Sequence, residues 1–172
     1  YMPGHGHCDG LSFELSRQGH PVFVNSGTGM YQGALRGYFR STAAHNTVMI
    51  DGEEQSECWG EHRVARRISE VTGSAGSQEL KGRLKTASGR KQGRCIRAEG
   101  SSVEIWDQVD GHADAYFHLA PDYHYEEAEN SVLVKEKDDT LVCRIILEKQ
   151  DQVKIYREGI ICSYAPEFGK IE

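Results

Sequence analysis

An all-β fold, an antiparallel β-sandwich of about ten or more short strands, is what the sequence predicts. Three observations carry this expectation. Short runs that alternate apolar with polar side chains, or concentrate β-branched residues, recur along the chain. Between them stand clusters of Gly, Asp, Asn and Ser, among them Asp51-Gly52, Asp110-Gly111 and Asp138-Asp139, whose chemistry favours tight turns. Nowhere does an apolar stripe persist for three helical turns.

In chain order the runs fall at residues 11–15, 21–25, 46–51, 63–71 and 102–109, then at 115–119, 131–136, 140–147, 152–156 and 159–164. The first sets Leu11, Phe13 and Leu15 at alternate positions, and the second and third are β-branched and aromatic, with Val22-Phe23-Val24 and Val48-Met49-Ile50. Residues 27–37 are punctuated by glycine and read as a loop crossing one end of the sheet. Residues 73–93 are poor in large apolar side chains and rich in Gly, Ser, Lys and Arg, which predicts a hairpin tip or a mobile crossing loop. No repeat and no linker divides the chain, so residues 1–172 are expected to form a single domain, a length sufficient for one real core.

With 26 acidic against 20 basic side chains the formal charge is −6, which argues against a general nucleic-acid or membrane-surface binder. An anionic ligand must be held by a local group of cations. The five cysteines, Cys8, Cys58, Cys95, Cys143 and Cys162, are odd in number and contain no CxxC pair, so free thiols are expected rather than a disulfide framework or a zinc ribbon. There is no apolar run long enough for a transmembrane helix and no signal-peptide pattern at the start, where Tyr1-Met2-Pro3 reads as the middle of a longer protein.

The polar residue types able to do chemistry crowd into the segment before Trp59. In GHGHCDG, residues 4–10, an extended backbone would place His5, His7 and Asp9 on one face and turn Cys8 away. Two imidazoles beside a carboxylate suit metal ligation or proton transfer, and they equally suit a solvated pair on an exposed strand. A metal would need further donors, and His45 in STAAHNT, surrounded by small residues, is the obvious one. The plain alternative makes His45 a core histidine bonded to a backbone carbonyl. Tyr31 and Tyr38 lie in the glycine-punctuated loop, where a phenol can act as acid or base or simply pack its ring. Arg36 and Arg40 in the same region can pair with a carboxylate ligand or be solvated.

The ordered motifs GHGHCDGLSFELSRQGHPVFVNSGTGMY, YFRSTAAHNTVMIDGEEQSE and WGEHRVARR, spanning roughly the first 70 residues, resemble the carboxyl-terminal β-domain of the heparinase II/III-like polysaccharide lyases, relatives of the oligoalginate lyases. The resemblance implies a two-part enzyme, an amino-terminal α/α toroid followed by an antiparallel β-sandwich, with the active site in the cleft between them. Such enzymes cleave acidic, uronic-acid-containing polysaccharides by β-elimination: the proton on carbon 5 is removed and the group on carbon 4 expelled. The chemistry needs a base, an acid and a means of neutralising the carboxylate. Toroid residues, an asparagine, a histidine and a tyrosine, supply part of that machinery.

Carried over by motif, His5 is the catalytic histidine of the β-domain, and Tyr31 matches a tyrosine that joins the catalytic group in the alginate-cleaving relatives. His7, Asn25 and His45 match the ligands of a zinc ion that braces the domain, which would be structural. At Asn25 the family often has an aspartate, and a neutral amide is the poorer ligand. Arg40 and Trp59 are expected to bind substrate. The implied partners are an acidic polysaccharide and the protein's own toroid, with no nucleic acid and no membrane insertion; the implied location is periplasmic or extracellular.

Two other readings stand beside this one. A cupin also presents an HxH pair to a metal, but its first motif wants a glutamate three or four residues beyond the second histidine, and Glu14 comes later. A non-catalytic carbohydrate-binding sandwich could use Trp59, Trp106 and the Tyr123-His124-Tyr125 cluster to recognise sugar without chemistry.

Overall fold

The structure, a computed structural model, describes residues 4–147 and 165–166. Strands β1 (Leu15–Arg17) and β2 (His20–Phe23) form a hairpin closed by Gln18 and Gly19, whose φ values of 53° and 84° are those a two-residue connection requires. A short helix α1 (Arg36–Phe39) and a 3-10 turn (Thr42–Ala44) lead into β3 (Val48–Ile50), followed by a small hairpin of β4 (Cys58–Trp59) and β5 (Arg63–Val64). Then come β6 (Ser69–Ala75), β7 (Glu79–Lys85), β8 (Lys91–Glu99) and β9 (Ser102–Val109), a four-stranded antiparallel meander. β10 (Ala113–Ala115) pairs with β3, and β11 (Tyr123–Ala128), β12 (Ser131–Glu136) and β13 (Leu141–Ile146) form a second meander. Every pairing between these strands is antiparallel, and the sheets make the all-β sandwich that the alternation predicts.

Two different kinds of packing hold the sheets. One is apolar: Val22 and Phe23 of β2 bury against Val134 and Val142 of the second meander, with Phe13, Leu15 and Leu119 closing around them. The other is polar. From the inner face of β8, Arg94 makes a two-pronged ion pair with Asp107, both contacts 2.8 Å, and donates to the carbonyls of Leu11 and Asn46. Gln92 donates to Thr47 Oγ1 and accepts from Gln55 Nε2 at 2.9 Å. Burying a guanidinium is costly unless its donors are filled, and here the carboxylate and two carbonyls fill them. This polar seam joins the first meander to the segments that carry the histidines.

The strands expected at residues 102–109 and 131–136 coincide with β9 and β12, and 140–147 contains β13. Elsewhere the expectation needs correction. Residues 73–93 are largely strand, since they include the end of β6, all of β7 and the start of β8. What hid them is the polar seam: Leu84 is the one large apolar side chain buried among them, and Gly82, Gln92 and Arg94 take the other inner positions. Leu11 lies so close to Gly82 that a Cβ there would overlap Leu11 Cδ2. Leu11 itself has φ of 60° and sits in a turn, so the first strand begins later, at Leu15. The 63–71 run is broken between Val64 and Ser69 where the chain passes from one sheet to the next. β4 and β11 were not anticipated, and the runs at 152–156 and 159–164 lie outside the described residues.

Candidate functional site

The GHGHCDG segment is not a strand but a sequence of turns pinned at several backbone atoms. Cys8 N donates to the Arg40 carbonyl at 2.9 Å, and the Gln55 amide clasps Gly10 from both sides, accepting from its N–H at 2.8 Å and donating to its carbonyl at 3.0 Å. A Cβ on Gly10 would stand 2.6 Å from Leu84 Cδ2, so only glycine lets the backbone come this near the first meander. Arg36 Nη2 holds the Gly4 carbonyl at 2.9 Å.

This path separates the two histidines. The His5 ring is exposed and stacks on Tyr31, centroids 4.3 Å apart and planes 24° from parallel, with the Arg36 guanidinium 5.5 Å from the Tyr31 ring centre. His7 turns inward, 5.1 Å from the ring of His45, and Asp9 joins them: the ligand atoms of His7, Asp9 and His45 all lie within 4.8 Å of one another. Cys8 points the opposite way and is buried, as alternation within His7-Cys8-Asp9 would have it. His5 is not part of the three-residue cluster.

His45 is fully buried. Its Nδ1 is 3.0 Å from Asn25 Oδ1, which also accepts from Gly27 N–H at 3.0 Å. Because Asn25 Oδ1 can only accept, the proton belongs on Nδ1 and the lone pair on Nε2. That Nε2 is buried and makes no hydrogen bond among the described residues; the nearby Phe39 carbonyl favours the charged ring only weakly. Burial, opposed by Asp9, lowers the His45 pKa to about 4. Burial and then the Arg36 cation lower the His7 pKa as well. His7 Nε2 accepts from Arg36 Nη1 at 3.0 Å and lies 3.3 Å from Thr28 Oγ1. Two neutral imidazoles and a carboxylate form a donor set suited to zinc or a similar cation, and an orphaned buried lone pair is what such an ion would satisfy. Arg36 works against binding, because it occupies the His7 lone pair and adds positive charge. Asn25 spends its oxygen on orienting His45, the place of an outer partner that sets a ligand's tautomer.

Arg40 and Trp59 meet at a separate hollow of about 180 Å³ that Glu54 and Cys58 also line. Only 2 % of Arg40 is exposed; its Nη1 donates to the Gly60 carbonyl at 3.3 Å, while Nε and Nη2 have no partner among the described residues. Trp59 is 46 % exposed, an aromatic face at the rim. A wider groove of about 390 Å³ runs past His7, Asn25, Thr28 and Glu14. Between hollow and histidines lies a thiol pair: Cys8 Sγ is 3.5 Å from Cys58 Sγ and 3.7 Å from the Ser56 carbonyl. The shared hydrogen bond, aided by Arg40, draws the Cys58 pKa down to about 7, and with burial it pushes Cys8 up.

Asp9 and Arg36 are the residues that motif matching passed over. Asp9 was visible as the third member of an alternating His-x-His-x-Asp run. Arg36 carried no such signal, since nothing in sequence says that a loop arginine is wholly buried and bonded to the Gly4 and Glu61 carbonyls and to His7. Tyr38 is placed 3.3 Å from Ser26 Oγ, away from the His5 stack.

Among proteins of known structure, the heparan sulfate lyase HepC mutant from Pedobacter heparinus is similar over 97 % of this chain and 27 % of that one, with a TM-score of 0.69 and 16 % identity, a likeness of fold. The chain thus spans about a quarter of that protein. No curated protein matches the sequence. The model of the family described as heparinase II/III-like, C-terminal, matches residues 1–170, and the chain belongs to that family.

Proposed function

We propose that the chain is the β-domain of a polysaccharide lyase that cleaves uronic-acid-containing glycans by β-elimination, and that it contributes one side of the active site. Family membership supports the enzyme class. The observation that carries the site assignment is the exposed His5 ring stacked on Tyr31, a pair of proton-transfer groups held at the domain surface by a pinned backbone.

In this reading His5 and Tyr31 face the sugar. One group takes the proton from carbon 5 while the other hands a proton to the oxygen leaving carbon 4, and the electrons of the carbon–hydrogen bond become the new double bond. The uronate carboxylate must be neutralised for the carbanion to form, and the toroid of the full-length protein supplies much of that charge. Arg40 and Trp59 hold a neighbouring sugar, the buried guanidinium lending positive charge to the hollow that both line and the exposed indole a stacking face.

His7, Asp9 and His45 would hold a zinc ion, with Asn25 fixing the tautomer of His45. Bound there, the ion supplies no chemistry beyond bracing the segment on which His5 is carried. Asp9 thus provides the carboxylate that position 25 lacks. The implied location is the periplasm or the cell exterior, where such polymers are met.

Full-length protein incubated with heparan sulfate, alginate, hyaluronan and bacterial exopolysaccharides should generate the ultraviolet absorbance of an unsaturated uronate on at least one of them. No signal on any would count against the reading. The exposed Trp59 beside Arg40 favours a second one, sugar binding without chemistry: glycan affinity unaffected by His5→Ala, with no absorbance from either form, would establish it.

A further inference from the structure

Cys8 and Cys58 are 50 positions apart in sequence, yet their sulfurs touch at 3.5 Å, and no other pair of described cysteines shares a sulfur–sulfur hydrogen bond. Neither backbone is free to drift. Cys8 is tied through its N–H to the Arg40 carbonyl, and the hairpin of Cys58 is held by its pairing with Val64 and by the two hydrogen bonds between Glu57 and the chain at Ala65 and Arg66. Fixed backbones that press two thiols together give them a high effective concentration for each other. A disulfide bond is about 2 Å long, so the sulfurs must close by roughly 1.5 Å. Cys58 has room to make that adjustment, since it is only half-buried and lines the hollow beside Arg40 and Trp59.

We propose that Cys8 and Cys58 form a disulfide when the protein meets a small-molecule disulfide of the glutathione class. The inference does not depend on the lyase reading. Accessibility sets the order of events: Cys8 is 1 % exposed, so the reagent reaches Cys58 first. The Cys58 thiolate attacks one sulfur of the reagent, forming a mixed disulfide and releasing one small thiolate. Cys8 then attacks the Cys58 sulfur, a new sulfur–sulfur bond forms, and the second small thiolate leaves carrying the proton that Cys8 gives up. Two protein thiols are oxidised by two electrons, and one disulfide is reduced to two thiols. A lowered pKa at Cys58, owed first to the hydrogen bond with Cys8 and then to cationic Arg40 and Arg36, supports its role as the entering nucleophile.

The product is a staple across the site. Cys8 lies between His7 and Asp9, so the bond fastens the His5-bearing segment to the hairpin that carries Trp59. A protein working in an oxidising compartment would hold the two halves of its sugar-facing surface in one geometry, whereas in a reducing one they would be linked by contacts alone.

Peptide mapping tests this directly. The full-length protein, purified with reductant, is transferred to glutathione buffer rich in the disulfide form, alkylated and digested. The expected result is a cross-linked pair of peptides containing Cys8 and Cys58, lighter by two hydrogens than the separate peptides and parted by reductant, while Cys95 and Cys143 are recovered alkylated. The link should form at least tenfold faster than either of those two cysteines acquires glutathione. Recovery of both Cys8 and Cys58 in alkylated form overturns the proposal, as does a lasting glutathione adduct on Cys58 or a link to a different cysteine. In Cys58→Ser the link must vanish without a substitute at Cys8; should that variant fail to fold, the map of the unaltered protein decides alone.

Discussion

Between His5 and His7 the backbone turns, and the Gly4 and Cys8 peptide groups on either side are held by Arg36 and Arg40, so the rings leave the segment in different directions. One stacks in the open on Tyr31 and the other sinks toward His45. The proposed roles therefore separate experimentally. In the full-length enzyme His5→Ala should lower kcat by 100-fold or more, the scale of a lost proton-transfer group, while metal content and melting temperature stay unchanged. Elemental analysis and thermal melting alongside the rate measurement check the division, and a joint loss of all three would defeat it. Asp9→Asn probes the other branch. Removing the carboxylate charge next to two neutral imidazoles should weaken zinc binding by at least tenfold, read by competition with a chromophoric chelator, with no need for activity as a readout. Asn25 Oδ1 already serves His45 and Gly27, so Asn25→Asp should not compensate fully for that loss.

At the scale of elements, the positions that fix the site are those where a small or polar residue replaces the expected apolar one. Gly10 lets the histidine segment lie against Leu84 of β7, and Gln55, 1 % exposed, ties Gly10 to Thr47 and Gln92. Gly10→Ala drives a methyl into Leu84 Cδ2 and should destabilise the fold by about 1–3 kcal/mol, the range for overpacking. Gln55→Ala leaves the Gly10 N–H and the side-chain oxygen Oε1 of Gln92 without their partner in a dry interior, at a similar cost of about 1–3 kcal/mol for each group so orphaned. Equilibrium denaturation measures both. The same positions explain what could be read in advance. β9 and β12 announce themselves through β-branched alternation between turn residues, and the HxH, VFVN and AAHNT motifs mark residues that do meet in space. β7 and β8 escape the pattern because Leu84 alone is a buried large apolar residue there, beside inward Gly82, Gln92 and Arg94, and one such residue makes no apolar period to detect. Asp9 joined the cluster, and Arg36 came to His7, through turn geometry and burial, which no residue pattern expresses.

For the whole molecule, acidity should act on metal and fold together. His45 is buried and His118 half-buried, and the loss of solvent depresses both pKa values, His45 to about 4 against an ordinary value of 6.5. For a base whose folded pKa is depressed, the unfolded chain takes up the proton first. The stabilising contribution is therefore complete above about pH 6.5, falls as pH drops below that value, and is lost once the pH has passed below the folded pKa, near 4 for His45. Each unit of depression corresponds to about 1.4 kcal/mol, before Asp9 and the coupling to His7 are taken into account. A cation on His7, Asp9 and His45 requires the same neutral rings, so protons and zinc compete for them and added zinc should raise stability most near neutral pH. Melting curves of the full-length protein between pH 7.5 and 4.5, with excess zinc and with chelator, separate the two effects. The zinc-loaded protein should melt several degrees above the chelated one at neutral pH, the difference should shrink on acidification, and His45→Gln should abolish it. The chelated protein should still lose stability on acidification, through the desolvated imidazoles themselves. Zinc stabilisation that is independent of pH, or that survives His45→Gln, would place the ion elsewhere and leave the orphaned Nε2 of His45 without its explanation.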